Sequence, residues 1–280
     1  MSGFSPEWLA LREPVDHRSR NRDLAARLTA QLAGRAAIRV VDLGCGTGSN
    51  IRATSALLGA TQHWTLVDYD ARLLAAARAA LLGWADRTVS SSETLVLEKA
   101  GSTLHIAFRQ TDLNTDLDAA LGDSPDLVTA SAFFDLCSEA FLRTLAAALA
   151  ARRAHFYTVL TYDGGQRWTP AHPADAAMAA AFHAHQSTDK GFGRAAGPGA
   201  PAALARALTA CSYRVEEADS PWVLDAGEHS LIRDLASGFA DAVAETADVP
   251  AATLTDWLRI DRTAAIVGHT DTLALWVGEG

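Results

Sequence analysis

The segment Ile38-Arg-Val-Val-Asp-Leu43 is a short β-branched run that breaks at once into Gly44-Cys-Gly46-Thr-Gly48, with helix-like sequence resuming at Ser49. A strand that ends in glycines and feeds a helix restricts a chain to few folds. Glycines let the backbone turn sharply and approach a ligand, and the following helix presents its free amides and positive dipole end at the same place. A second strand, Trp64 to Val67, and a helix from Ala71 to about Leu82 follow. Next come strands at Leu104 to Arg109 and Asp126 to Ala130, a helix over Glu139 to Ala151 and a strand over His155 to Thr161. This alternation predicts parallel pairing with right-handed crossovers, an α/β fold with a doubly wound sheet over roughly the first 160 residues. Ahead of it, Leu24, Leu28 and Leu32 are spaced by four and Gly34 is a stop signal, which predicts a helix from Asp23 to Ala33.

The second half reads differently. Residues 163–201 are rich in Gly, Pro, His and Trp, with one short helix around Ala174 to His185. A stretch of that length between sheet elements is usually a lid or a binding insertion. A helix over Pro201 to Ala210 and a strand over Tyr213 to Glu217 follow. Helices around Leu231 to Glu245 and Ala252 to Arg262 then precede a last strand at Thr272 to Val277. The expected organisation is an N-terminal helical cap over 1–35 and one domain over 36–280, with insertions at about 163–200 and 227–265.

Composition narrows the partners. With 49% apolar and 20% charged residues in 280, the chain can bury a sizeable core and is not disordered. A balance of 24 Lys+Arg against 33 Asp+Glu, net −9, makes a poor binder of nucleic acid or anionic lipid, both of which gain affinity from basic patches. No Lys/Arg stripe with interleaved aromatics is visible, so a small molecule is the expected partner and nucleic acid is not. Cys45, Cys137 and Cys211 are odd in number and form no CxxC pair, which disfavours a disulfide framework and a structural zinc site and points to a reducing cytoplasm. The N-terminus is charged where a secretory segment would be apolar. Apolar stretches such as Thr144 to Ala151 are far shorter than the roughly 20 residues of a membrane span, so no membrane is expected.

The loop itself discriminates between ligands. A dinucleotide fingerprint has glycines at its first, third and sixth positions, whereas here the sixth position is Ser49 and the third glycine falls one place early, at Gly48. No Gly-Lys-Ser/Thr is present to cradle a triphosphate. A nucleoside ligand without a pyrophosphate suits such a loop. The second strand ends in Asp68, 20 positions after Gly48, where a carboxylate can accept hydrogen bonds from both ribose hydroxyls. Asp70 stands where it can cap the next helix.

These residues resemble the class I S-adenosylmethionine-dependent methyltransferases. The family's first motif, acid-x-Gly-x-Gly-x-Gly, matches Asp42, Gly44, Gly46 and Gly48, and its ribose-binding acid matches Asp68. Its adenine-contacting acid is similar to Asp112 in Gln110-Thr-Asp-Leu113, and its fourth motif to Pro125 through Phe133. The resemblance implies a seven-stranded sheet with an antiparallel last strand and S-adenosyl-L-methionine as cofactor. It places Gly44, Cys45 and Gly46 against the methionine part and Asp112 and Leu113 beside the adenine, with Tyr69 and Ser131 joining the cofactor set. Cys45 then reads as a small buried loop residue rather than a nucleophile. Enzymes of this fold that methylate adenine or glutamine amides carry Asn/Asp-Pro-Pro-aromatic after the fourth strand. Ser131-Ala-Phe-Phe134 stands there instead, which disfavours that chemistry.

Methyl transfer from a sulfonium is an in-line displacement that needs positioning, water exclusion and proton removal only where the nucleophile requires it. The expected lid has two pieces. The N-terminal segment carries Trp8, Arg12, Asp16, Arg18, Arg20 and Arg22, of which Arg12 or Arg18 is expected to hold the cofactor's carboxylate. The insertion carries the expected acceptor side. Tyr162 and Asp163 follow a strand end, and Trp168, His172 and His185 join Asp163 as substrate-binding candidates. Met178, Phe182 and His185 share one helical face, the pattern of a packed stripe, whereas His183 points elsewhere as the candidate base. Tyr162 and Asp135 complete the catalytic set. No metal is expected, because helical histidines at i and i+2 diverge. Lys190-Gly-Phe-Gly193-Arg194 suits an anionic group or a hinge equally.

The expected function is methyl transfer to a small molecule by a monomer or homodimer. The alternatives are aminopropyl-type transfer, with Asp135 and Asp163 serving a polyamine, and an inactive cofactor-binding subunit that acts through a partner. Ser49 argues against a nicotinamide-dependent dehydrogenase.

Overall fold

The structure, a computed structural model, describes residues 4–278. Residues 1–3 of the expected cap and residues 279–280 of the expected domain lie outside the described residues. Two helices, α1 (Pro6–Ser19) and α2 (Arg22–Leu32), come first, followed by β1 (Ile38–Leu43), α3 (Ser49–Thr54), β2 (Thr61–Asp68) and α4 (Ala71–Trp84). Then come β3 (Arg87–Ser91), β4 (Leu95–Lys99), β5 (Ser102–Gln110), α5 (Leu117–Leu121), β6 (Leu127–Ser131) and α6 (Glu139–Arg152). The remainder is β7 (His155–Thr169), α7 (Asp175–Gln186), α8 (Ala200–Ala210), β8 (Tyr213–Asp219), β9 (Trp222–Leu224), α9 (His229–Thr246), α10 (Ala251–Leu258) and β10 (Ala264–Trp276).

The helices start and stop on local chemistry. In α4 the buried positions Leu73, Leu74, Ala77 and Leu81 fall on one stripe, and the Asp70 side chain accepts from the Arg72 amide to close the first turn. In α6 the stripe is Phe141, Leu142, Leu145, Ala146 and Leu149, and the cap is Ser138, which accepts from the Phe141 amide.

One sheet carries the order β3-β4-β5-β2-β1-β6-β7-β10-β8, with β9 added beside β10. β5, β2, β1, β6 and β7 pair in parallel, and β10 runs antiparallel between β7 and β8. Successive side chains point to opposite faces, so the sheet makes two cores. Val40, Trp64, Leu66 and Tyr157 face α1 and α2 with Val15, Leu24 and Leu28. Val41, Leu43, Val67 and Val128 face α5, α6 and α8 with Leu117, Leu142, Leu145 and Leu204.

The α/β doubly wound reading and the antiparallel last strand agree with this architecture, but the sheet is larger than the expected seven strands. The hairpin β3–β4 extends one edge, and β9 adds a short strand. β3 lies on that edge, largely exposed, and therefore lacks the apolar alternation that marks a half-buried strand. β7 also runs eight residues past the expected Thr161, so the first part of the expected insertion is sheet. Gly164 and Gly165 mask the strand in the sequence, while its pairing with β10 bridges the irregularity through register shifts. β10 in turn begins at Ala264 instead of Thr272.

Candidate functional site

Strand β1 lies where the order of the sheet reverses, with β2 on one side and β6 on the other. Ligands of open α/β sheets bind outside the carboxyl ends of strands at such a point. The chain there makes three left-handed turns in five residues, with φ of +62° at Gly44, +53° at Gly46 and +76° at Gly48. A side chain disfavours each of these conformations, which explains the spacing of the glycines. The Cys45 amide donates to the Val67 carbonyl at 2.9 Å and fastens the loop to β2.

Asp68 caps the geometry. Its Oδ2 accepts from the Gly46 amide at 2.9 Å and its Oδ1 from the Asp70 amide at 2.9 Å. Each carboxylate oxygen keeps a further lone pair. Burial raises the Asp68 pKa, and the amide hydrogen bonds oppose the rise. The exit of β5 is drawn alongside, since Thr111 donates to the Asp68 carbonyl at 3.0 Å and Gln110 Nε2 to the Tyr69 carbonyl at 3.1 Å. The Tyr69 ring is 65% exposed, Leu113 is buried, and Asp112 accepts from the Asn114 amide at 2.9 Å. Ser131 ends β6, half-buried.

Two side chains lie directly on the loop. A Cβ at Gly44 would stand 2.7 Å from the Phe133 ring, and one at Gly46 would stand 3.2 Å from Leu9 of α1. Helix α1 is fastened over the loop by Arg52 donating to Glu13 at 2.6 Å and by His17 Nε2 at 3.0 Å from both oxygens of Ser49.

Asp42 lies beneath the loop, fully buried, with Oδ1 accepting from Asn50 Nδ2 at 2.7 Å and Oδ2 without a partner among the described residues. Desolvation pushes its pKa up to about 7. Burial also pushes the Cys45 thiol well up, the environment of an inert cysteine. Arg18, expected at the cofactor's carboxylate, instead donates to Glu228 at 2.7 Å and to the Val223 carbonyl at 3.2 Å, which ties α1 to β9. Arg12 is the arginine that faces inward, paired with Asp16 at 2.9 Å and lying 5.1 Å over the Trp222 ring. Arg20 lies deeper, donating to Thr54 Oγ1 at 2.9 Å, with Nε and Nη2 unpartnered among the described residues.

The catalytic candidates gather at the far side of the crevice. The Tyr162 hydroxyl accepts from Gln166 Nε2 at 2.5 Å and lies 3.0 Å from His183 Nε2. Burial raises the Tyr162 pKa and lowers that of His183, so both are neutral near pH 7. His269 stands opposite Tyr162 on β10, ring centroids 6.3 Å apart, and burial pushes it down to about 3. Asp135 lies in the turn Phe134–Leu136 after β6, 9% exposed, and its side chain has no hydrogen bond from another residue among the described residues. Desolvation pushes its pKa up to about 6.

That shift has a signed consequence for stability. Between the ordinary Asp value near 3.8 and about 6, the folded protein holds a proton that the unfolded chain has released, so this group's contribution to stability falls as pH rises through that window. Asp135→Asn should therefore raise the melting temperature of the ligand-free protein at pH 8. The advantage should shrink toward zero by pH 4, as read by differential scanning calorimetry at both values.

The substrate-side expectations fare differently. Asp163 Oδ1 accepts from the Gly165 amide at 2.8 Å and would collide with a Cβ at Gly268, which places it at the strand irregularity. Trp168 is packed 5.2 Å from Trp257 and 5.9 Å from Phe239. His172 accepts from the Ala174 amide at 3.1 Å and pairs with Asp256 at 3.2 Å, which fixes α7 to α10. His185 pairs with Glu245 at 3.0 Å and fixes α7 to α9. Three members of the cluster escaped sequence reasoning. His269, Gln166 and Trp222 reach it only through the pairing of β7, β9 and β10, and no local pattern announces that pairing. From the insertion, Phe192 packs on Phe133 at 5.6 Å and on Phe141 at 4.7 Å, which lays the glycine-rich turn against the crevice wall.

No protein-family model matches the sequence, and no curated protein does. Solved structures match in shape. A cyclopropane-fatty-acyl-phospholipid synthase-like protein from Lactobacillus casei aligns over 98% of this chain and 95% of its own, at 16% identity and a TM-score of 0.57. YcgJ from Bacillus subtilis aligns over 92% and 100%, at 13% identity and a TM-score of 0.53. A Bacillus halodurans protein named as a methyltransferase aligns over 91% and 97%, at 12% identity and a TM-score of 0.52. The shared feature is the fold, the class I Rossmann-like methyltransferase fold.

Proposed function

We propose that the chain transfers a methyl group from S-adenosylmethionine to a small-molecule acceptor held between the carboxyl edge of the sheet and α7. The observation that carries this reading is the Asp68 carboxylate, fixed beside three left-handed glycines by the Gly46 and Asp70 amides. Its remaining lone pairs suit the two hydroxyls of a ribose. The exposed Tyr69 ring and buried Leu113 supply apolar surface for an adenine, and Arg20, with two nitrogens unpartnered among the described residues, supplies positive charge toward a carboxylate. The atoms of Phe133 and Leu9 nearest Gly44 and Gly46 belong to side chains, which other rotamers can withdraw from the loop. The residues present therefore fit the group.

Bound there, S-adenosylmethionine supplies a methyl carbon made electrophilic by its sulfonium. This chain's own residues do the rest. Phe133 and Trp222 keep the acceptor's surroundings apolar, which strengthens the electrostatic interactions inside. His183, neutral because burial disfavours its charged form, receives the Tyr162 hydroxyl proton when its own proton sits on Nδ1. A proton leaving the acceptor thus has a path through the phenol to the imidazole, and through that half-buried ring to water.

The same reading keeps 1–35 as a cap over the loop, with 36–280 as the transferase unit. Among the described residues no helix is long and apolar enough to cross a membrane. Isothermal titration is expected to show S-adenosylmethionine and S-adenosylhomocysteine each binding with Kd below about 1 mM. Absence of binding by both removes the proposal.

A further inference from the structure

We infer that the acceptor is a small hydrophobic amine whose ammonium group is received by Asp135, which has Tyr162 and the Arg12 guanidinium as charge neighbours, the latter lying over the Trp222 ring. The inference rests on the proposed methyl transfer and adds the acceptor's chemical class.

Charge at the site does not balance. The Arg12 guanidinium is already matched by Asp16, at 2.9 and 3.3 Å, and the Trp222 indole donates to the same carboxylate at 3.1 Å. His269 and His183 are uncharged, and Tyr162 keeps its proton. Asp135 is left as a carboxylate nine-tenths buried that shares the Arg12 charge with Asp16 and has no hydrogen bond from another residue among the described residues. A buried anion without partners is costly, and proteins retain one where a ligand completes it. Hydrogen-bond donors on an ammonium meet that need. The face of Tyr162, which senses the Asp135 charge, adds attraction for a cation.

The cofactor's sulfonium is the other cation that reaches such a place. A carboxylate held against it favours the charged reactant over a transition state in which that charge disappears, so it slows the transfer. An ammonium acceptor has the opposite logic. It is held by Asp135 until one proton leaves through Tyr162 and His183. The freed nitrogen lone pair then forms the N–C bond as the C–S bond breaks, its electron pair staying on sulfur.

The test is calorimetric binding of phenethylamine, 3-phenylpropanol and 3-phenylpropionate to the full chain saturated with S-adenosylhomocysteine at pH 7.5. Phenethylamine is expected to bind at least about tenfold more tightly than the other two, a preference lost in Asp135→Asn with S-adenosylhomocysteine affinity unchanged within about threefold. Should that variant not fold, the wild-type preference is expected to fall several-fold between pH 7.5 and 5. Asp135 is protonated over that range, while Tyr162 keeps its proton and His269 stays neutral. His183 and Asp16 also face the cluster, through Tyr162 and Arg12, and the same pH comparison in His183→Gln and Asp16→Asn separates their contribution.

Equal binding of the three probes, binding of none up to 10 mM, or preference for the carboxylate overturns the inference. So does a loss in Asp135→Asn confined to S-adenosylmethionine, which assigns Asp135 to the sulfonium. Failure of both cofactor forms to bind the wild-type protein strikes the proposed function instead.

Discussion

Asp68→Ala is expected to weaken S-adenosylmethionine binding by about 1.5–3 kcal/mol, on the order of 10- to 100-fold in Kd, with the fold retained. The size follows from what the carboxylate does. Hydrogen bonds to a charged group are stronger than neutral ones, and alanine removes both oxygens that a ribose diol would meet. Two amides also lose their acceptor, those of Gly46 and Asp70, so the glycine turn is left with the Cys45–Val67 bond as its tie to β2. Asp68→Asn separates these effects. Its amide oxygen still accepts from one N–H, so it should fall between wild type and alanine in titration calorimetry. A change below about threefold for Asp68→Ala places the ribose elsewhere.

Trp257→Ala is expected to cost about 3–5 kcal/mol of stability and to lower the melting temperature by roughly 10 °C. Trp257 is fully buried, 5.2 Å from Trp168, 5.6 Å from Phe239 and 4.7 Å beneath the Arg262 guanidinium. Its indole also donates to Asp175 at 2.7 Å, at the first residue of α7. Alanine therefore opens a cavity and frees a helix terminus together. Because this cluster lies among β7, α7, α9 and α10, apart from the glycine loop, S-adenosylmethionine affinity measured well below the transition should change less than about threefold. Equal losses in both readouts would mean that the helical layer and the loop open as one unit.

The parts legible in the sequence were those written in local code. Ile38 through Gly48 disclosed a strand, its turn and the start of a helix because three glycines adopt conformations that a side chain disfavours. Asp68 was legible because it ends a strand at a fixed distance from that turn. Arg18 and Arg12 were not separable, since they lie on one short helix and only β9, some two hundred residues later, decides which of them meets Glu228 and which meets Trp222. The histidines divided for a similar reason. His172 and His185 find carboxylates on α9 and α10, while His183 finds the Tyr162 hydroxyl. His269 stayed hidden because its neighbour is set by strand pairing across the sheet, to which periodicity is blind.

Fastening α1 over the glycine turn has a kinetic corollary. A nucleoside under a strapped helix departs no faster than the strap lifts, and the strap here includes Glu13–Arg52 and His17–Ser49. Residence time then belongs to the helix, and a slow product exit can limit turnover even where the transfer itself is quick.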